Sequence, residues 1–246
     1  VSSKLAVKNV SLNVRAGEIV CIAGSDGNGQ SEFIHALTGL EPLTQAENTS
    51  ITLDGVEISS KSIREKMKAG ISHIPEDRHK HGLVLDFSLE QNMVLERYWQ
   101  PEFEKFGFIM NAEVTKYAEN LINQYDVRSG QGVKTRTRSM SGGNQQKAII
   151  AREIDKSHKL LIAVQPTRGL DVGAIEYIHS QIVADRDKGA AVLLVSYELE
   201  EVFGLSDRIL VMYEGEIVGE LNPKTATREE LGLYMSGAKR QAGGEK

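Results

Sequence analysis

Residues 24–31, Gly-Ser-Asp-Gly-Asn-Gly-Gln-Ser, bring together three glycines and a hydroxyl where an apolar run gives way to a helical pattern. With no side chain at Gly24, Gly27 or Gly29, the backbone N–H groups through Ser25, Asp26 and Asn28 could wrap an anion. A helix opening near Ser31 and Glu32 would add the partial positive charge of its N-terminus. The spacing fits the phosphate-binding pattern G-x-x-x-x-G-K-[ST], whose lysine reaches the β and γ phosphates and whose hydroxyl binds magnesium. Gln30 stands where that lysine belongs, so a charge-assisted bond of about 1.5–3 kcal/mol becomes a neutral one. Ser31 keeps the hydroxyl that could reach a magnesium ion. Read alone, the segment is equally a glycine-rich turn.

A second segment follows about 110 residues later, Met140-Ser141-Gly142-Gly143-Asn144-Gln145-Gln146-Lys147. A hydroxyl, two adjacent glycines and a helix start can present N–H groups to a phosphate with nothing in the way. An ordinary serine cap would account for Ser141 but not for the rest of the string.

The elements that position these segments can be read from apolar patterning. Strand-like runs occur at 18–23, 51–58, 160–165, 191–197 and 209–213, with helical patterns at 31–40 and 174–187. Continuous apolar strands alternating with helices imply a mostly parallel sheet covered on both faces. From about 90 to 138 the apolar positions Val114, Tyr117, Ala118, Leu121 and Ile122 recur at helical spacing without a strand run, which suggests an inserted helical lobe. The aromatic group Tyr98, Trp99, Phe103, Phe106 and Phe108 is read first as that lobe's core and second as a docking surface. His79 and His81 sit among cations with no third ligand, so a solvated loop is favoured over a metal site. Glu198, Glu200 and Glu201 read as acids complementing a helix N-terminus. Residues 236–246, small and polar, are expected to be an unanchored tail.

The chain of 246 residues, 40% hydrophobic and 26% charged, can bury a sizeable core. Its 29 basic and 34 acidic residues, net charge −5, give no electrostatic reason to bind nucleic acid or an anionic membrane. The single cysteine, Cys21, lies in an apolar run and is expected to be buried; it suits a reducing compartment. No apolar run approaches the roughly 20 residues of a spanning helix. The start at Val1-Ser2-Ser3-Lys4, without an initiator methionine, suggests an excerpt of something longer.

Together the two segments closely resemble the phosphate loop and the LSGGQ-type signature of ABC ATPases, the signature being in the form found in importers of simple sugars and nucleosides. The resemblance runs from Leu5 to about Tyr234. It implies an α/β P-loop NTPase core of ABC type, about 1–80 and 142–222, with a mostly parallel sheet and an inserted helical subdomain, about 85–141. It also implies head-to-tail pairing, each nucleotide lying between one domain's phosphate loop and the other's signature. Ser141, Gly142, Gly143, Asn144 and Gln145 would then serve in trans.

The family's magnesium-supporting Asp and catalytic Glu correspond to Val164 and Gln165, and its switch histidine to Tyr197. The Gln that touches metal and water corresponds to Glu76. Gln165 can hydrogen-bond a water but cannot take its proton, where a general base typically contributes about 10²- to 10⁴-fold. Gly169, Leu170 and Asp171 match the loop that contacts the opposite domain. The family's adenine-stacking aromatic has no counterpart before Phe33.

The resemblance is strongest to the C-terminal, degenerate half of tandem ATP-binding proteins, with the nucleoside branch favoured. It implies a competent second ABC domain, in the N-terminal half of the same polypeptide, together with transmembrane permease subunits and an extracytoplasmic substrate-binding protein. Peripheral placement at the cytoplasmic face of the membrane follows. ATP and magnesium would bind this half weakly or not at all, and no hydrolytic group is intact. The alternatives are a site that binds ATP without cleaving it and an ATPase working through atypical groups.

Overall fold

Runs that are apolar at every position, not at alternate ones, demand a sheet with both faces covered. The computed structural model, which describes residues 6–43 and 49–241, contains that sheet. In chain order the first elements are β1 (Ile19–Ala23), α1 (Gln30–Thr38), β2 (Thr52–Leu53), β3 (Val56–Glu57), α2 (Ile63–Ala69), β4 (Ile71–Ile74) and α3 (Leu89–Met93). Then come β5 (Glu104–Lys105), β6 (Phe108–Ile109), α4 (Asn111–Gln124), α5 (Gly142–Asp155), β7 (Leu160–Val164) and α6 (Val172–Asp187). The chain closes with β8 (Ala191–Ser196), α7 (Leu199–Leu205), β9 (Arg208–Tyr213), β10 (Glu216–Leu221) and α8 (Arg228–Met235).

Six strands form one sheet in the order β10-β9-β1-β8-β7-β4. β1 pairs in parallel with β8 and β9, β7 in parallel with β8, and β10 antiparallel to β9. Every residue of β1 and β8 is buried. Val20, Ile22, Ile162, Leu193, Val195 and Met212 share one core cluster with Ile34 of α1 and Ile58, and side chains of this kind contribute about 1.5–3 kcal/mol each on burial. Cys21 lies inside β1 with no exposed surface, and desolvation pushes its thiol well above the ordinary range.

The chain divides into two units. The first comprises the described residues within Val1–His73, His158–Gln165 and Ile182–Lys246, and holds the sheet except for the last residue of β4. The second, Ile74–Ser157 with Pro166–Gln181, is mainly helical. In this division α5, grouped with the core in the sequence reading, falls in the helical unit. A buried charge cluster ties it there. The Arg152 guanidinium, 1% exposed, donates to the Gly82 carbonyl at 2.9 Å and pairs with Glu153 at 2.8 Å. Lys156 reaches both Glu153 and Glu96 at 2.5 Å.

Several local expectations also change. Residues 51–58 form the two-stranded hairpin β2–β3 and not one strand, because Asp54 and Gly55 adopt positive φ of 53° and 76° and reverse the chain. The edge strands β4 and β10 escape a pattern search because Ser72, His73, Gly219 and Glu220 interrupt their apolar residues. The lobe contains a short hairpin, β5–β6. Of the aromatic group only Phe103 is fully buried, packed with Val94, Val114 and Tyr117, whereas Phe106 and Phe108 are 88% and 75% exposed. Core packing is therefore the wrong reading for those two. Residues 236–241 are anchored: the Gln241 N–H donates to the Val218 carbonyl at 2.9 Å, and Lys239 and Arg240 pair with Glu230 and Glu216. Residues 1–5 and 242–246, which include the suggested cut and the rest of the expected tail, lie outside the described residues.

Burial opposes ionisation of Glu153, yet Lys156 and Arg152 hold its carboxyl down to about 2. A depressed carboxylate contributes stability that is present above its unfolded pKa, about 4.3, and lost as pH falls through the folded value. Glu153→Gln is therefore expected to cost about 3–5 kcal/mol at neutral pH, because Arg152 and Lys156 lose their fully buried carboxylate and keep only Glu96. Urea unfolding of the two proteins at pH 7 and pH 3 checks this, and the difference between them should shrink at the lower pH.

Candidate functional site

The residues singled out from sequence fall into two groups, one in each unit. In the sheet unit, Ala23 pairs with Ser196 and Val164 with Val195. Gly24, Gln165 and Tyr197 therefore follow the carboxyl ends of three neighbouring parallel strands, where ligands of α/β sheets bind.

The loop from Gly24 to Gly29 leads into α1, whose first helical bond runs from the Phe33 N–H to the Gly29 carbonyl at 2.9 Å. The N–H groups of Gln30, Ser31 and Glu32 precede that bond and have no acceptor within the helix. Gly29 has φ of 102°, and a Cβ there would meet the Ala6 carbonyl oxygen at 2.6 Å, so only glycine fits. Asn28 ties the loop to the β9–β10 turn, accepting from the Glu214 N–H at 2.9 Å and donating to the Ser25 carbonyl at 3.0 Å. Ser25, Asp26 and Gly27 are exposed, and Ser31 is half-buried on the first turn of α1. Gln30 is 1% exposed, lies against Gly24, and neither of its amide atoms has a hydrogen-bond partner. An unsatisfied buried amide costs about 1–3 kcal/mol. Phosphate oxygens could receive its N–H groups, so the loop fits a polyphosphate without supplying charge to it.

The positions that correspond to the family's hydrolytic residues are occupied by Val164, Gln165 and Tyr197. Val164, 4% exposed, belongs to the hydrophobic cluster and offers no ligand to magnesium. Gln165 holds a positive φ of 46°, unusual for a residue with a side chain. Its N–H donates to the Val195 carbonyl at 2.8 Å, and its buried Nε2 has no partner. Tyr197 packs half-buried against the same cluster.

In the helical unit, Ser141 caps α5. Its Oγ accepts from the Asn144 backbone N–H at 3.4 Å and from Asn144 Nδ2 at 3.0 Å. With two donors on the oxygen, the serine's own hydrogen is available to a further acceptor. The Arg128 N–H donates to Asn144 Oδ1 at 2.8 Å and so fixes which way that amide faces. Gly142 and Gly143 form the first turn of α5. Gln145 turns into the unit. Only 5% exposed, it points inward, its Nε2 donating to the Thr137 carbonyl at 2.8 Å and its Oε1 meeting His79 Nε2 at 2.9 Å. Lys147 rests 4.4 Å over the Tyr177 ring and pairs with Asp126 at 2.8 Å, a bond that holds the Asp126 carboxyl below its ordinary value.

Glu76 forms an ion pair with Arg168, and Arg78 Nη1 donates to the Arg168 carbonyl at 3.3 Å. Gly169 has φ of 70°, and the Leu170 N–H donates to the Thr167 carbonyl. Asp171 starts α6 by accepting from the Ala174 N–H at 2.9 Å. Residues 77–82, expected to be a solvated loop, expose Asp77, His79, Lys80 and His81 and coil into a π-helical turn, Arg78–Gly82, capped by Asp77. The contacts of Arg78, His79, Thr137 and Arg128 with this region were not foreseen. They link residues from 8 to 90 positions apart, and no spacing signal marks them. Among the described residues no cluster of three or more His, Cys, Asp or Glu could hold a metal, and no helix is long and apolar enough to cross a membrane.

A mostly parallel sheet with a phosphate-type loop at its carboxyl edge, joined to a helical unit bearing a glycine signature, defines an ATP-binding cassette. The chain belongs to the ABC transporter family, whose model matches residues 7–168. It is 52% identical over 239 residues to the guanosine import ATP-binding protein NupO of Bacillus subtilis, a match covering 97% of this chain and 46% of that protein. It is 49% identical to the nucleoside import ATP-binding protein NupA of Lactococcus lactis, covering 95% and 45% of the two chains. The chain thus spans about half the length of these relatives. In fold it is similar to a dimeric ATP-binding cassette in a post-hydrolysis state bound to ADP and Pi, with a TM-score of 0.73, 23% identity, and coverage of 89% of this chain and 90% of the other.

Gln30→Lys restores a cation where the loop has only an unpartnered amide. It is expected to tighten magnesium-ATP binding by about tenfold or more, measured by isothermal titration calorimetry. Unchanged affinity would show that phosphates do not reach this residue.

Proposed function

We propose that this chain is the non-hydrolysing cassette of an ABC importer for a nucleoside or simple sugar, and that it lends its signature to ATP held by a competent second cassette. That second cassette belongs to the same polypeptide. The assembly works with permease subunits and an extracytoplasmic substrate-binding protein, and the cassettes sit at the cytoplasmic face of the membrane. The nucleoside assignment draws on the two nucleoside import relatives, and the tandem arrangement on the chain's spanning about half of each.

The observation that carries the reading is the contrast between the two groups of residues. In cis, Val164 is buried in hydrocarbon, Gln165 has no carboxylate and Gln30 no charge. In trans, Ser141 keeps a hydroxyl hydrogen free to donate and a fixed orientation from Asn144. Bound ATP and magnesium supply the phosphoryl group and neutralise its charge. This chain's Ser141 Oγ–H and the N–H groups of the first turn of α5 contribute donors aimed where negative charge develops, which is the largest single term in many enzymes. No step of hydrolysis is assigned to Val164, Gln165 or Tyr197.

A second reading is supported by Gln30, whose unpartnered amide suits a phosphate: the chain's own loop holds a nucleotide that is not cleaved. The two readings are compatible, because they concern different composite sites.

Ser141→Ala in the complex of this chain with the hydrolysing cassette is expected to lower ATPase kcat by about 10²-fold, the usual loss on removing one transition-state donor. Phosphate release by the purified complex measures it. Unchanged turnover would contradict the signature's role in trans.

A further inference from the structure

The turn Arg78–Gly82 touches the signature helix at two points, and neither contact is explained by nucleotide binding alone. At the first, the Thr137 carbonyl can only accept a hydrogen bond, so it settles which end of the Gln145 amide faces it: Nε2 donates there at 2.8 Å. Oε1 therefore faces His79 Nε2 at 2.9 Å, and that ring nitrogen must carry the hydrogen. Gln145 is 5% exposed, and both ends of its amide bond to groups of this chain, so this signature glutamine acts as a clamp between α5 and the turn.

At the second point the Arg78 guanidinium lies over Gly142. A Cβ on Gly142 would meet Nη2 at 3.2 Å, Cζ at 3.6 Å and Nε at 3.9 Å, which is the pattern of a flat group laid against the glycine. Nη1 donates to the Arg168 carbonyl, and the Arg168 side chain pairs with Glu76. A cation beside a helix N-terminus gains nothing from the helix dipole, so helix stability does not account for its position. The turn itself is held by Asp77, whose carboxylate accepts from the His79 and Lys80 N–H groups at 2.9 and 3.0 Å.

We infer that His79 and Arg78 are positioning residues for the signature. His79 through Gln145, and Arg78 through Gly142, fix the orientation in which Ser141 and the first turn of α5 meet the partner's nucleotide. The inference rests on the reading of the signature in trans and assigns the residues that aim it. Misplacement by even 1 Å is costly in such sites, so loss of the clamp acts on the chemical step more than on nucleotide binding.

The test measures ATPase kcat and KM of the complex with the hydrolysing cassette for the wild type, His79→Ala, His79→Gln and Ser141→Ala, with thermal melts of each. His79→Ala is expected to lower kcat about tenfold with KM changed less than about twofold. His79→Gln, which restores an N–H donor toward Gln145, should return most of the activity at a similar melting temperature. A normal kcat in His79→Ala alongside a defective Ser141→Ala would overturn this inference and leave the trans reading standing. So would a His79→Gln variant as impaired as His79→Ala. Normal turnover in Ser141→Ala would overturn both.

Discussion

Helix α5 carries an unusual combination: a charge cluster out of water toward one end and a glycine-rich phosphate-type terminus at the other. Arg152, Glu153, Lys156 and Glu96 satisfy one another on its inner face. Burying such ions is costly unless each is paired and hydrogen-bonded, so the cluster holds α5 in essentially one seat within the helical unit. That constraint lets a terminus with two glycines, poor helix formers about 1 kcal/mol worse than alanine, still have a defined direction. Ser141, Asn144 and the Arg78–Gly82 turn refine it locally.

The two halves of the chemistry obey different physical rules. The signature needs only a hydroxyl, backbone N–H groups and a rigid helix, all of which are present. In the proposed reading, hydrolysis would call for an ammonium, a metal-supporting carboxylate and a base, where this chain has the amides of Gln30 and Gln165 and the isopropyl group of Val164. The replacements are not equally tolerated by the fold. Val164 is a member of its hydrophobic cluster, whereas Gln30 and Gln165 are buried with unpartnered amide atoms. Gln165 also keeps a backbone conformation, φ 46°, that a packing residue would have no reason to adopt.

Much of this was legible in the sequence because it depends on local pattern. The central strands β1, β7, β8 and β9 are continuous apolar runs, and the phosphate loop and signature are contiguous strings. What escaped depends on tertiary contact. The edge strands β4 and β10 carry polar residues that break the pattern, and residues 51–58 conceal a turn that only the positive φ at Asp54 and Gly55 reveals. Membership of α5 in the helical unit follows from a charge cluster joining residues 82, 96 and 152. The inward aim of Gln145 follows from His79, 66 positions away. The aromatic group split because a two-residue hairpin lifts Phe106 and Phe108 into solvent while Phe103 stays beneath it.

The central claim is that the phosphate loop and the signature of this chain belong to sites of unequal ability. Bound-nucleotide analysis tests it most directly: the complex with the hydrolysing cassette is loaded with labelled ATP and magnesium, quenched after a single turnover, and its nucleotides identified. The account predicts one ADP formed per pair of cassettes, with any second nucleotide recovered as ATP. Two ADP per pair would contradict it.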